Sequence, residues 1–359
     1  MYEPKFIISN EILKNIGTIE ACREVIENAP LIPYWEKRFQ EEATLRTVHY
    51  GTHVEGNELS LDETAKILEG KHILARQRDV QEVINYRAVF AYFDKLGEKA
   101  KLKEKPIPVT EEQLKKINGL TCYRLIAPTE YGHYRKVGVV LRNSETGEIA
   151  FRPPPPVEVP YLLEDFFAWL SEEETKVIHP ILRAGIAHYA LVAIHPFIEG
   201  NGRTARAFAT LVLFAGGYDI RKFFSLEESF DREAPAYFGA LMSVSSQDPD
   251  LSRRDLTGWL GYFTKVLAVE LLKIKEKVKK LSVDIKLKKK IGKQIALSER
   301  QMKMIEYLEE NGQITTAEAR KLLPMVSEDT VLRDLKDLVK KGIVRKEGKT
   351  KAARYLIIR

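Results

Sequence analysis

A chain of 359 residues, 44% hydrophobic and 30% charged, is long enough for about two domains and carries ample apolar material for a buried core. No apolar run reaches the ~18 residues of a membrane span, and Met1-Tyr2-Glu3-Pro4-Lys5 lacks the basic then apolar pattern of a signal peptide. Cys22 and Cys122 are spaced like neither a metal site nor a disulfide framework, so a soluble protein of the reducing cytoplasm, with no membrane partner, is expected. The net charge of +6 hides an asymmetry: residues 273–359 hold 24 Lys and Arg against 12 Asp and Glu, and the rest 33 against 39. The two parts therefore face different partners or environments.

In chain order, apolar spacing predicts helices over 9–28 and 31–50, parted by Pro30 and Pro33. The second runs into Gly51-Thr52-His53-Val54-Glu55-Gly56-Asn57, where Gly56-Asn57 reads as a C-terminal stop. That leaves Glu55 at a helix end, where the dipole disfavours an acid and a compensating cation is needed. Asp79 to Leu96 reads as an amphipathic helix with Val80, Val83, Ile84, Tyr86, Phe90 and Phe93 as candidate core. Lys101 to Val109, rich in Lys and Pro, reads as a solvated loop, and Thr110-Glu111-Glu112-Gln113 as a capping box opening the next helix. From Gly132 the period changes: Tyr134, Val137, Val139, Val140 and Leu141, a turn at 143–148, and Ile149-Ala150-Phe151 predict a β-hairpin over 134–151. The prolines between Pro153 and Pro160 predict a rigid extended connector.

Val177 to Ile194 and Thr204 to Phe214 are apolar runs that predict two buried helices, the second stopped by Gly216-Gly217. The loop between them is His195-Pro196-Phe197-Ile198-Glu199-Gly200-Asn201-Gly202-Arg203-Thr204-Ala205-Arg206. Gly200 and Gly202 let the backbone turn tightly, so that amides at the start of the second helix face an anion. Arg203 and Arg206 share one helical face and suit successive phosphates. Glu199 is then a candidate Mg2+ ligand beside a phosphate chain. His195 is the one group of the loop able to accept a proton near neutral pH. Phe197 is expected to anchor the loop in the core.

This stretch resembles the Fic family signature, H-x-F-x-[DE]-G-N-G-R-x-x-R, at every fixed position. The resemblance implies a mainly α, Fic-type helical bundle with a β-hairpin flap. It also implies transfer of AMP from Mg-ATP to a hydroxyl side chain of a protein. In that reading His195 deprotonates the hydroxyl and Glu199 holds Mg2+. Asn201 with the Gly200 and Gly202 amides grips the α-phosphate region, and Arg203 and Arg206 stabilise the β and γ phosphates. Residues 51–56 resemble the Fic inhibitory motif, [ST]-x-x-x-E-[GN], which implies that Glu55 pairs with Arg206 in the place of the γ-phosphate. Here the [ST] position is Gly51, with Thr52 one place later. The 134–151 hairpin corresponds to the Fic flap, whose edge lines up a target protein by strand addition. Tyr237, on the helix that borders the adenine pocket in this family, is the candidate to stack on the base. Two other activities stay open: removal of AMP in the same site, and a nucleotide-sensing DNA-binding regulator.

His179 and His188 read as structural residues of the helix before the loop. Leu251 to Leu272 predicts a packed helix that passes into a Lys-rich connecting helix over 273–296. From Leu297 onward, helices opening at Glu299, after Thr315 and after Ser327, then strands around Glu347-Gly348-Lys349, resemble a winged helix-turn-helix. Its wing bears Lys346, Lys349, Lys351 and Arg354, while Glu328-Asp329 opens the third helix, so DNA and a protein partner are both open. A homodimer is also left open. The expected domains are 1–100, a helical region carrying the inhibitory motif; 101–272, the catalytic core; 273–296, the connecting helix; and 297–359, the winged helix.

Overall fold

The computed structural model describes residues 2–31, 33–142, 147, 149–281, 297–348 and 353–358. It is mainly α, with a two-stranded and a three-stranded antiparallel sheet among the described residues. The chain divides into two compact units, Met1–Glu27 with Phe39–Lys275, and Asn28–Arg38 with Glu276–Arg359. Residues 1–27 and 39–100 fall in the first unit together with the core that follows them. Among the described residues no helix is long and apolar enough to cross a membrane.

The first unit is built on α8 (Pro180–Ile194) and α9 (Asn201–Ala215), which pack against each other. Nearly every residue of both is buried, which explains why each reads as a continuous apolar run. α4 (Gln77–Lys103) and α5 (Glu111–Thr121) pack on α9, and α6 (Val159–Ser171) packs on α8. Gly185 of α8 lets α12 (Thr257–Leu281) come close: a Cβ there would stand 2.8 Å from Leu260 Cδ2, and Trp259 Nε1 donates to the Gly185 carbonyl at 2.7 Å.

The N-terminal helices form as α1 (Asn10–Glu27) and α2 (Pro33–His53), with Pro33 in the first turn, where a missing N–H costs nothing. α4 runs on to Lys103, past the predicted end at Leu96, and stops only where Glu104 turns left-handed (φ 51). Thr110 caps α5 as expected, but the box is not reciprocal: the Gln113 side chain instead accepts from the Tyr92 hydroxyl. The proline connector is shorter than expected, because Val159 and Pro160 already begin α6. α12 starts at Thr257 rather than Leu251, after a 3-10 turn at Leu251–Arg253, and enters the Lys-rich stretch, of which 282–296 lie outside the described residues.

The hairpin is much shorter than predicted. Only β1 (Leu141–Arg142) and β2 (Ile149–Phe151) pair; most of the turn lies outside the described residues. The preceding residues are held elsewhere. The Arg135 amide donates to the Pro196 carbonyl at 2.9 Å, and the Tyr134 ring lies 5.7 Å from that of Phe197. Those contacts pin 134–137 against the loop and remove them from strand pairing.

In the second unit, helices Glu299–Asn311, Thr316–Leu322 and Glu328–Lys340 surround a core of Met304, Leu308, Val331, Leu335, Leu338 and Tyr355. Ser298, Thr315 and Ser327 cap the three helices, and Gly312 (φ 75) ends the first. The two wing strands, Val344–Glu347 and Arg354–Ile357, are joined by a strand not foreseen in the sequence, Gln313–Thr315, which pairs with the second of them. Wing residues Lys349 and Lys351 lie outside the described residues.

His188 is structural, as expected. It is fully buried, its ring stacks on Trp259 at 4.9 Å, and burial pushes its pKa down to about 3. A histidine depressed in the folded state stabilises fully above its unfolded value near 6.5 and loses that contribution as pH falls toward 3. The melting temperature should therefore drop between pH 7 and pH 4, and His188→Gln should show a smaller drop over the same interval in thermal unfolding followed by circular dichroism.

Candidate active site

His195 ends α8 in the left-handed region (φ 52), which turns the chain out of the helix and projects the imidazole beside the start of α9. Its Nδ1 lies 3.3 Å from the Val192 carbonyl, an acceptor, so the proton sits on Nδ1 and the lone pair on Nε2. Burial depresses the His195 pKa, against the opposing pull of that hydrogen bond and of Glu55, so the ring is neutral at pH 7.

The loop is fixed by side chains at its back. Arg135 donates from Nε to the His195 carbonyl at 2.7 Å and from Nη2 toward the Ile194 carbonyl at 3.4 Å, closing the open end of α8. Asn118 donates to the Glu199 carbonyl at 3.0 Å and to Thr204 Oγ1 at 3.2 Å, while its own carbonyl accepts from the Gly132 amide at 2.7 Å. Asn201 was expected to grip phosphate, but its side chain is occupied within the loop. It accepts from the Phe197 amide at 2.9 Å and donates to the Phe197 carbonyl at 2.8 Å. Phe197 is buried, as expected of an anchor.

Gly200 (φ 72) begins α9 without any side-chain cap, so the first amides of the helix are left for an external acceptor. A Cβ at Gly200 would stand 2.6 Å from Cys122 Sγ, and one at Gly202 would stand 2.0 Å from Glu55 Oε1. The two glycines thus serve different ends: Gly200 fits the loop onto α5, and Gly202 leaves room over the helix start. The occupant of that room is Glu55.

Glu55 Oε1 lies 2.9 Å from Arg206 Nη2, as the inhibitory motif implied. Burial alone would raise the Glu55 pKa; Arg206 and Arg203 outweigh it and hold the carboxyl below its usual value. Arg206 also donates to the Gly51 carbonyl at 2.9 Å. The departure of Gly51 from the [ST] pattern has a local cause: a Cβ there would stand 2.3 Å from Cε1 of Tyr86. Thr52 does not substitute for the missing hydroxyl, since its Oγ1 donates back to Val48 and His49 carbonyls at 3.0 Å.

Arg203 is almost wholly buried, with Nη2 3.0 Å from Glu199 Oε1 and Nη1 3.4 Å from Glu82 Oε1. Even so, Arg203 Nε and Nη1 and Arg206 Nε have no hydrogen-bond partner among the described residues. Buried guanidinium donors left open are a strong sign that an anion belongs there. Glu199 keeps a third of its side chain exposed. A single accessible carboxylate next to a phosphate chain suits Mg2+, which is usually held by one or two carboxylates plus phosphate oxygens. No group of three or more His, Cys, Asp or Glu among the described residues could hold a metal without that help.

Tyr237 corrects the sequence reading. It is 1% exposed, its ring stacks on Phe230 at 4.6 Å, and its hydroxyl lies 3.1 Å from His188 Nε2. It lies beside Arg206 in the core and presents no open face to a base. Sequence reasoning in turn missed Asn118, Glu82 and Arg78, while Tyr86 is core, as expected. The available hint was that Asp79 and Glu82 fall among the apolar positions of α4, where an acid is buried only with a partner.

Residues 108–213 match the Fic/DOC family, and residues 300–348 match the DeoR-like helix-turn-helix domain. The first match spans the loop and the helix before it. It is 27% identical over 274 residues to protein adenylyltransferase Fic of Culex quinquefasciatus, covering 69% of this chain and 52% of that one. It is 33% identical over 184 residues to protein adenylyltransferase fic-1 of Caenorhabditis elegans, covering 51% and 34%. The chain therefore spans about half or less of the length of these curated relatives. A solved Fic family protein from Desulfovibrio desulfuricans G20 superposes with a TM-score of 0.66 at 21% identity, covering 99% of this chain and 98% of that one. Fic-1 from C. elegans gives a TM-score of 0.56 at 24% identity, covering 76% and 73%. These two likenesses establish the Fic fold.

The packing at Gly51 gives a test of the Fic site. Alanine for glycine inside a helix ordinarily stabilises by about 0.5–1 kcal/mol. Here Gly51→Ala should destabilise, by about 1–3 kcal/mol in urea unfolding, since the buried Tyr86 ring has to move.

Proposed function

We propose that the protein is an adenylyltransferase that moves AMP from Mg-ATP onto a hydroxyl side chain of a protein, held in check by Glu55. The observation that carries this reading is the set of buried N–H groups of Arg203 and Arg206 that lack a hydrogen-bond partner among the described residues, beside an uncapped helix start. A triphosphate would supply negative charge to both guanidinium groups and acceptors to the helix start. The similarity to curated protein adenylyltransferases supports the same class of reaction.

The residues divide the chemistry. His195 Nε2, its lone pair free, takes the proton of the attacking hydroxyl. The hydroxyl oxygen bonds to the α-phosphorus as the bond from that phosphorus to the bridging oxygen breaks, and pyrophosphate leaves. Arg203 and Arg206 receive the charge that builds on the leaving group. Glu199 would hold Mg2+, which when bound neutralises phosphate oxygens. Glu55 sits on Arg206 and blocks that guanidinium from a γ-phosphate. The exposed edge of the β1–β2 hairpin offers main-chain donors and acceptors to an extended target segment.

A second reading concerns the C-terminal unit and is favoured by its match to a DeoR-like helix-turn-helix. Its third helix exposes Arg333, Lys336 and Lys340 to a phosphate backbone, while Glu328 and Asp329 at the helix start oppose it. DNA binding on this surface would weaken steeply with salt.

Self-labelling with radiolabelled ATP tests the first reading. Glu55→Gly should label itself more strongly than wild type, and adding His195→Ala should reduce the signal about 10²–10⁴-fold, the usual contribution of a general base. A Glu55→Gly protein no more active than wild type would remove the inhibitory role. Because burial depresses the His195 pKa, the imidazole stays neutral as pH falls from 7. The acid limb of kcat/KM for Glu55→Gly should therefore lie below 6.5, the value of a free imidazole.

A further inference from the structure

Glu199 and Arg203 belong to a closed ring of charges completed by two residues of α4. Arg203 Nη2 lies 3.0 Å from Glu199 Oε1, and Arg203 Nη1 lies 3.4 Å from Glu82 Oε1. Glu82 Oε1 lies 3.1 Å from Arg78 Nε, and Arg78 Nη2 lies 3.4 Å from Glu199 Oε2. The ring is tied to the inhibitory segment, because Asn57 Nδ2 donates to Glu82 Oε2 at 2.9 Å. Both oxygens of Glu199 are therefore occupied. Oε1 is held from inside the loop by Arg203 and by the Gly200 amide at 3.2 Å, while among the described residues Oε2 has Arg78 alone as partner.

We infer that Arg78 is a tethered cation that occupies the metal face of Glu199, aimed there by Glu82, so that Mg2+ has to displace it before the site can load. This rests on the nucleotide reading given above. The geometry supports displacement over permanent pairing. Arg78 keeps 52% of its side chain exposed and Glu199 33%, at 3.4 Å, so the pair is weak and open to exchange. Glu82, 8% exposed at its side chain, is the fixed point of the ring and contacts both arginines. Arg78 and Glu82 are positioning residues in this arrangement; neither touches the reacting atoms. The check it provides is separate from Glu55, which acts on Arg206.

The test uses the full chain carrying Glu55→Gly and α,β-methylene ATP, which cannot be cleaved at the transferred bond. Calorimetric affinities measured across a series of free Mg2+ concentrations give the Mg2+ midpoint for nucleotide binding. Arg78→Ala should lower that midpoint about two- to fivefold, the range expected of a half-exposed ion pair. Glu82→Gln, which frees the Arg78 side chain without removing it, should shift it the same way by less. An unchanged midpoint in Arg78→Ala overturns the inference. So does an Arg78→Ala protein that binds the analogue several-fold more weakly in metal-free buffer, since Arg78 would then be a phosphate ligand. A Glu55→Gly parent that fails to bind the analogue at all overturns the nucleotide reading and this inference with it.

Discussion

A buried guanidinium cannot be left without a counter-charge, and the arrangement of this Fic-type fold follows from where Arg206 finds one. At 2% exposure Arg206 is held by the Gly51 carbonyl and the Glu55 carboxylate, both from the end of α2. Because Glu55 keeps 32% of its side chain exposed, losing it costs less than the about 3–5 kcal/mol of a fully buried pair. The end of α2 is thereby fastened to the first turns of α9. In the proposed function the same requirement falls on the ligand: whatever replaced Glu55 would have to bring negative charge.

Around that pair the loop is tied down by its own side chains and by Arg135. His195 is turned by its own left-handed backbone, Arg135 closes the end of α8 beneath it, and Asn201 clamps Phe197. These contacts fix the free Nε2 and the open helix start relative to each other, which is the form of preorganisation that catalysis by positioned charge needs. Residues often assigned to ligand contact by type alone are here used to hold the backbone. An Asn in a glycine-rich loop is as useful for tying the loop shut as for touching phosphate.

The charges at the site are also coupled across segments distant in sequence. Glu55 and Asn57 follow α2, Arg78 and Glu82 lie on α4, and Glu199, Arg203 and Arg206 lie on the loop and α9. Arginines and acids alternate through this set, so that each charge is buried only where a neighbour opposes it. Tyr86 extends the arrangement into the core: its ring fills the space beside Gly51 and its hydroxyl lies 3.2 Å from Glu227 Oε1. Burial holds the Glu227 pKa above the usual carboxylate value.

The sequence by itself determined the two buried helices and the glycine-rich loop between them, because a continuous apolar run and an ordered string of Gly, Asn, His and Arg are local patterns. It also determined the three capped helices of the C-terminal unit through Ser298, Thr315 and Ser327, while resemblance to a short motif implied the Glu55 pairing. Only the tertiary structure decided what depends on neighbours far away in the chain. It turned Tyr237 into a core residue, set Asn201 to clamping, shortened the hairpin by drawing Arg135 to α8, and brought Arg78 and Glu82 to Glu199 and Arg203. The reason is physical: periodicity and turn chemistry are written in adjacent residues, whereas the partner of a buried charge or hydroxyl is chosen by which segments the fold places within about 3 Å of it.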